Sequence, residues 1–311
     1  MGMVYGNPLV RFALITESQP GGNVERHFVW TAHHSVYDGW SVRKMFELLT
    51  SFYRGENLPS SPVPFTRFLR YLKQLDKEDT RAFWCGQLEG MEAPVFPLHP
   101  HSMVGSRTMG VVEQQMSGRE GGGSETISTI LRAAWALVVA QQTGADEALL
   151  AVTLSGRTAP VPQILHILAP TVTTVPVRIR IDRTQPVQDF LTAVQQQAAE
   201  MMPFEHTGLQ NIRRLVPGLQ NGLDAGHLFM VQAVDEGEAM PLAATIGLEE
   251  QITTLGDLED YALNVVCATG AADGSIEVVA RFDTRVIGEA AVQMLLSQFN
   301  HTFQQLVLTD F

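Results

Sequence analysis

The chain has 311 residues, 45% hydrophobic and 17% charged, and its 33 acidic against 21 basic side chains leave a net charge of −12. This composition excludes a disordered polymer, and the acidic balance argues against nucleic acid or an anionic membrane surface as partner. The length suits about two domains.

Taken in chain order, Leu9–Thr16 and His27–His34 read as strands joined by the turn-rich Ser18-Gln19-Pro20-Gly21-Gly22-Asn23. Trp40–Tyr53 is apolar at helical spacing, and Pro62–Leu75 and Asp79–Leu88 read as two further helices. Glu92–His101 has no period and marks a boundary between two parts, 1–101 and 102–311. Beyond a strand at Gly110–Met116, the Gly-rich Ser117–Ser124 reads as a loop, and Glu125–Thr143 as a helix with Ser124 as N-cap and Gly144 just past its end. Ala148–Leu154 and Thr171–Ile181 read as buried strands, and Val187–Met201 and Phe204–Val216 as helices split by Pro203. Strands at His227–Val234, Tyr261–Thr269 and Ser275–Phe282 follow, and Val286–Leu308 closes the chain as an amphipathic helix. Helices alternating with strands, some joined by short turns, predict an α/β sandwich with helices covering a partly mixed sheet.

Two cysteines, Cys85 and Cys267, make neither a disulfide framework nor a zinc site and suit a reducing compartment. The N-terminus lacks the basic and apolar regions of a signal peptide, position 6 is Gly rather than the Ser or Thr of a myristoylation pattern, and no apolar run is long enough to span a bilayer. A soluble cytoplasmic protein is the expectation.

The densest chemistry lies in His33-His34-Ser35-Val36-Tyr37-Asp38-Gly39. An apolar strand leads in and a helical pattern leads out. A histidine delivered by a strand into a turn can accept a proton near neutral pH, an acid four residues later can shape the turn, and a glycine after it allows a tight backbone.

Read as H-H-x-x-x-D-G, this stretch resembles the signature of condensation domains of nonribosomal peptide synthetases, and the chain is most similar to the fungal branch. Further stretches follow in the family's order: Phe83-Trp84 with Leu88, Ala133-Ala134-Trp135-Ala136, Ser155-Gly156-Arg157, Pro170–Arg180, Pro203-Phe204-Glu205 and Tyr261-Ala262-Leu263, the last with alanine in the family's proline position. The resemblance implies the two-lobed, chloramphenicol acetyltransferase-like α/β sandwich. Its 1–101 part would be an N-terminal lobe and 102–311 a C-terminal lobe. Only 32 residues precede His33, so the N-terminal lobe is expected to be truncated and the C-terminal lobe, ending at Leu308–Phe311, to be whole.

The same resemblance implies the chemistry. In the family two tunnels meet at the histidine motif, one for an acyl or peptidyl thioester and one for an aminoacyl thioester, and the amine attacks the carbonyl. The second histidine, His34 by position, is the implied catalytic residue, as base or as positioning group. His33, Asp38 and Gly39 support it, with Arg157 as the candidate partner of Asp38, and Ser155 and Gly156 as tunnel-lining residues. No cofactor is bound directly. The substrates arrive on the phosphopantetheine of peptidyl or acyl carrier proteins, which are the implied partners, together with a missing N-terminal lobe or partner subunit.

Other candidates have plainer readings. Glu205 and His206 look like a catalytic pair, but a helix N-terminus accounts for the acid. His99 and His101 flank Pro100 without a third ligand nearby, which reads as a solvated loop rather than a metal site. His166, His227 and His301 carry no supporting context, and Asp224 reads as a surface acid. Alternatives to amide formation stay open: a peptide-releasing or cyclising relative, an epimerising relative, or a non-catalytic, partner-dependent module. A coenzyme A-dependent acyltransferase of the same fold is disfavoured because its D-F-G-W-G motif is absent.

Overall fold

The computed structural model describes residues 6–18, 24–56, 62–98, 108–118, 124–216, 226–233, 261–270 and 274–309. His99, His101, Asp224 and Val234, and parts of the expected 18–23 and 117–124 turns, lie outside the described residues. Two compact units emerge: Met1–Gln74 with Ala159–Val172, and Leu75–Thr158 with Thr173–Phe311. Compactness thus divides the chain at Gln74–Leu75 rather than at 101, and it assigns an excursion of the later chain, 159–172, to the first unit. That stretch carries its own apolar residues into a core made by the early chain.

In the first unit, β1 (Val10–Ser18) and β2 (Val24–Ala32) pair antiparallel, from Val10 opposite Ala32 to Ser18 opposite Val24. Period-two alternation puts Phe12, Leu14, Phe28 and Trp30 on one face, where Phe12 and Phe28 stack with ring centroids 5.9 Å apart. Phe12, Leu14 and Phe28 are exposed. α1 (Gly39–Tyr53) and α2 (Thr66–Gln74) follow. A small core of Val63, Phe68, Val161, Ile164, Ile167 and Ala169 joins α2 to the excursion, which a parallel bridge between Val63 and Ile167 fastens.

The second unit holds the larger core. Its elements are α3 (Lys77–Leu88), β3 (Met109–Met116), α4 (Ile127–Thr143), β4 (Glu147–Leu154), β5 (Thr173–Arg180), α5 (Val187–Met201), α6 (Leu209–Leu215), β6 (His227–Ala233), β7 (Leu263–Thr269), β8 (Ile276–Asp283) and α7 (Glu289–Thr309). The strands form a six-stranded mixed sheet in the order β3-β8-β7-β6-β4-β5, parallel where β6 meets β4 and β7 and antiparallel elsewhere. The central strands read as near-continuous apolar runs because both faces are covered.

α4 is buried almost all round, the property of a helix enclosed by other elements; it packs on α7, α5, β4 and β6. Trp135 anchors it, stacked parallel to Phe229 and edge-on to Phe299. His227 is a core histidine, edge-on to Trp135, with Nδ1 2.7 Å from the Phe96 carbonyl. Arg178 on β5 donates through Nε to Glu147 at 2.6 Å and through its terminal nitrogens to the carbonyls of Glu89 and Gly90, both at 2.9 Å. This arrangement satisfies a buried guanidinium and ties the end of α3 to the sheet.

Local signals and tertiary contacts part company in two places. The N-cap of α4 is Thr126, whose hydroxyl accepts from Thr129 N–H at 3.2 Å. Ser124, the expected cap, turns instead to the Glu125 carboxylate and accepts from Gln188. The expected helix Phe204–Val216 is broken: Met202–Thr207 forms a 3₁₀ turn, Gly208 ends it at φ 81°, and α6 starts at Leu209. At the other end of α4, Gly144 adopts the left-handed conformation (φ 68°) of a helix C-cap, as expected.

Candidate functional site

The histidine motif sits at the end of the hairpin. His33 N–H donates to Leu9 O at 2.8 Å, which carries the β1–β2 pairing one step past Ala32. The backbone then tightens into a 3₁₀ turn over His34–Val36, capped by His33, whose Nδ1 accepts from Ser35 N–H at 3.2 Å and lies 2.8 Å from Ser35 Oγ. His33 is thereby committed to the turn. The His34 ring is exposed and stacks on Tyr37 at 4.7 Å with an interplanar angle of 17°. The two rings lie nearly parallel.

Asp38 ends the turn and starts α1. It is 5% exposed. One carboxylate oxygen, Oδ1, accepts from Ser41 N–H at 2.8 Å, and Ser41 Oγ accepts from Asp38 N–H at 2.8 Å, closing a reciprocal cap. The other oxygen, Oδ2, accepts from Thr171 N–H at 2.9 Å. Asp38 therefore binds the 159–172 excursion to the helix that follows the histidines. Two residues on, Trp40 Nε1 donates to Leu165 O of the same excursion at 3.1 Å, and the Arg43 guanidinium lies 4.7 Å from the Trp40 ring centre. Sequence reasoning missed these anchors. The Ser41 half was legible as a polar residue three positions after the cap, but nothing in the sequence pairs Asp38 with a main-chain N–H 133 residues away.

Gly39 corrects its expected conformational role. It opens α1 without a positive φ, and a Cβ there would meet nothing within 4 Å. Gly39→Ala is therefore expected to leave the unfolding free energy unchanged to within ~1 kcal/mol. A denaturant titration checks this, and a larger loss would show that the backbone freedom of glycine is used.

In the second unit, Ser155, Gly156 and Arg157 form the turn after β4. Ser155 is exposed and Arg157 is buried. Gly156 has φ 66°, a conformation that costs an L-residue roughly 1–2 kcal/mol. His206 Nε2 lies 3.0 Å from Gly156 O, and Glu205 Oε1 accepts from Thr158 Oγ1 at 2.8 Å. Glu205 stands in the first turn of the 3₁₀ helix Met202–Thr207 rather than at the start of a helix running to Val216. It lies inside the 3₁₀ turn and is buried by its bonds to the β4 end. His33, His34, Asp38 and Gly39 stand together in the first unit, and Ser155, Gly156 and Arg157 stand together in the second. Among the described residues, no group of three His, Cys, Asp or Glu side chains is placed to hold a metal ion, and no helix is long and apolar enough to cross a membrane.

A family model, the condensation domain, matches residues 3–309. The chain belongs to the condensation-domain family. This condensation domain is 48% identical over 306 residues to the FR901469 synthetase of Dothideomycetidae sp. (strain 11243), covering 98% of the chain and 2% of that protein. It is 42% identical over 306 residues to nonribosomal peptide synthetase 32 of Fusarium pseudograminearum, covering 98% of the chain and 3% of that protein. The chain therefore spans a small fraction of the length of the curated relatives it matches. Among solved structures, the crystal structure of holo T3CT superposes with a TM-score of 0.74 at 22% identity, over 96% of this chain and 66% of that one. The epimerization domain from the third module of tyrocidine synthetase B gives 0.70 at 14% identity, over 98% and 73%. These likenesses place the mixed sheet and its covering helices in the chloramphenicol acetyltransferase-like fold.

Proposed function

We propose that this condensation domain joins an acyl or peptidyl thioester to an aminoacyl thioester, both carried on the phosphopantetheine of carrier proteins, in nonribosomal peptide synthesis. The acceptor nitrogen forms a C–N bond to the donor carbonyl carbon, the carrier thiolate leaves, and the amine gives up a proton. His34 is the residue at that nitrogen, as proton acceptor or positioning group. The observation that carries this reading is the exposed His34 ring, held flat on Tyr37 by a turn that His33 and Asp38 lock from both sides. His33, Asp38, Gly39 and Arg157 are read as supporting residues, and Ser155, exposed on its turn, and Gly156 as substrate-lining ones. The acidic charge and the free Cys85 and Cys267 fit a cytoplasmic setting.

The test supplies purified chain with an acyl-loaded carrier and an aminoacyl-loaded carrier and looks for the amide by mass spectrometry. Product in the presence of both carriers and none with either alone is the expected result. A second reading is favoured by the exposed Phe12, Leu14 and Phe28 on one face of the hairpin: activity requires further polypeptide over that face. Product from a longer stretch of the synthetase, and none from these 311 residues, selects that reading.

A further inference from the structure

His34 is exposed and opens the 3₁₀ turn His34–Val36. An exposed ring on a turn changes rotamer readily, yet a group that is to meet a reacting nitrogen must be held in one place. The neighbouring anchors act on the path of the main chain. His33 bonds to Ser35, and Asp38 bonds to Ser41 and Thr171.

What meets the His34 ring is Tyr37. Side chains three apart in a 3₁₀ turn eclipse one another, and Tyr37 stands three positions after His34. Its N–H donates to His34 O at 3.3 Å and closes the turn. The two rings then lie face to face, with centroids 4.7 Å apart and an interplanar angle of 17°. Tyr37 is met in turn from the hairpin. Trp30, near the end of β2, sets its ring 5.8 Å from that of Tyr37 at an angle of 53°. Trp30 and Tyr37 are half-buried, whereas His34 is exposed. The row Trp30–Tyr37–His34 thus joins an exposed ring to a strand that is paired along its whole length. Such a stack is made by ring faces, so the phenolic oxygen of Tyr37 is not needed for it.

We propose that Tyr37 is a positioning residue for His34: its ring face sets the plane of the imidazole, with Trp30 as the support behind it. The link to a reaction rests on the amide-forming reading above.

The test reads the His34 ring protons by NMR at a single pH on the full chain, alongside steady-state amide formation. Protons over an aromatic face are moved upfield by its ring current, so the wild-type His34 signals carry the mark of Tyr37. Tyr37→Leu removes the face and is expected to return those signals to the positions of an unstacked histidine. In the same variant kcat falls about threefold to tenfold, the weight of one aromatic pair, while KM for both loaded carriers holds. Tyr37→Phe keeps the face and is expected to leave both readouts within about twofold of wild type. If Tyr37→Leu does not fold, Trp30→Leu keeps Tyr37 and removes its support. It is expected to move the same signals part of the way and to lower kcat about twofold to threefold, the low end for such a pair. Unmoved His34 signals in Tyr37→Leu, or Tyr37→Phe failing as far as Tyr37→Leu, would overturn the ring face as the device. Displaced signals with kcat unchanged would overturn the positioning role. Displaced signals with no amide from the wild-type chain would sink the amide-forming reading and leave Tyr37 as the residue that sets the ring.

Discussion

Replacing His34 by alanine is expected to lower the rate of amide formation by roughly 10²–10⁴-fold, the range for removing a positioned general base, with folding left intact. The ring is exposed and its contact is the stack on Tyr37. That stack is worth about 0.5–1.5 kcal/mol beyond area burial, and α1 is capped by Asp38 and Ser41 without it. Rate and stability therefore separate at this position. The measurement is single-turnover amide formation with both carriers loaded, beside a thermal melt. A fall of less than about tenfold would remove His34 from the chemistry. A matching loss of melting temperature would recast it as a structural residue.

At Asp38 the opposite division is expected, with stability lost first. Each carboxylate oxygen accepts from a different main-chain N–H, Oδ1 from Ser41 and Oδ2 from Thr171. An alanine removes both acceptors. Losing the cap costs about 1 kcal/mol, and stranding the buried Thr171 donor adds about 1–3 kcal/mol, so Asp38→Ala is expected to destabilise the first unit by roughly 2–4 kcal/mol. Asparagine is not a neutral replacement. It offers one oxygen and one amide nitrogen, so one of the two N–H groups would face a donor. Asp38→Asn is expected to fall between wild type and Asp38→Ala, near the cost of a single unsatisfied buried donor, about 1–3 kcal/mol. Denaturant unfolding followed by exchange at the α1 amides reads both variants. An Asp38→Asn protein as stable as wild type would show that one of the two main-chain contacts, to Ser41 or to Thr171, contributes nothing.

Some of this was legible from residue order alone. The continuous apolar runs of β4 and β5 and the long apolar face of α7 announced their elements, because burial on one or both faces imposes those periods; the apolar runs Leu9–Thr16 and His27–His34 announced the hairpin strands although both faces of that hairpin are largely exposed. The α4 C-cap was legible at Gly144 because a left-handed residue there favours glycine. The N-cap was not. Ser124 and Thr126 are chemically equivalent as caps, and the choice between them was made by Glu125 and Gln188, which draw the Ser124 hydroxyl away. The break at Gly208 was hidden for a similar reason. Met202–Thr207 gives up helix continuity to place Glu205 and His206 against the end of β4, a contact that local propensity does not encode.

The sequence by itself determined the family, through motifs that run in the family's order from His33 to Leu263, and it set two histidines side by side between a strand and a helix. It also suggested a glycine required for its backbone at Gly39, where the backbone turned out to be ordinary. Only the tertiary structure decided what holds that turn in place. Thr171 and Leu165 come from a stretch far along the chain, and their main-chain groups bond to Asp38 and to Trp40. Such pairings depend on main-chain groups that every residue carries, so no side-chain pattern announces them. They appear when burial removes water as the competing partner and each buried N–H and carboxylate must find a bond within the fold.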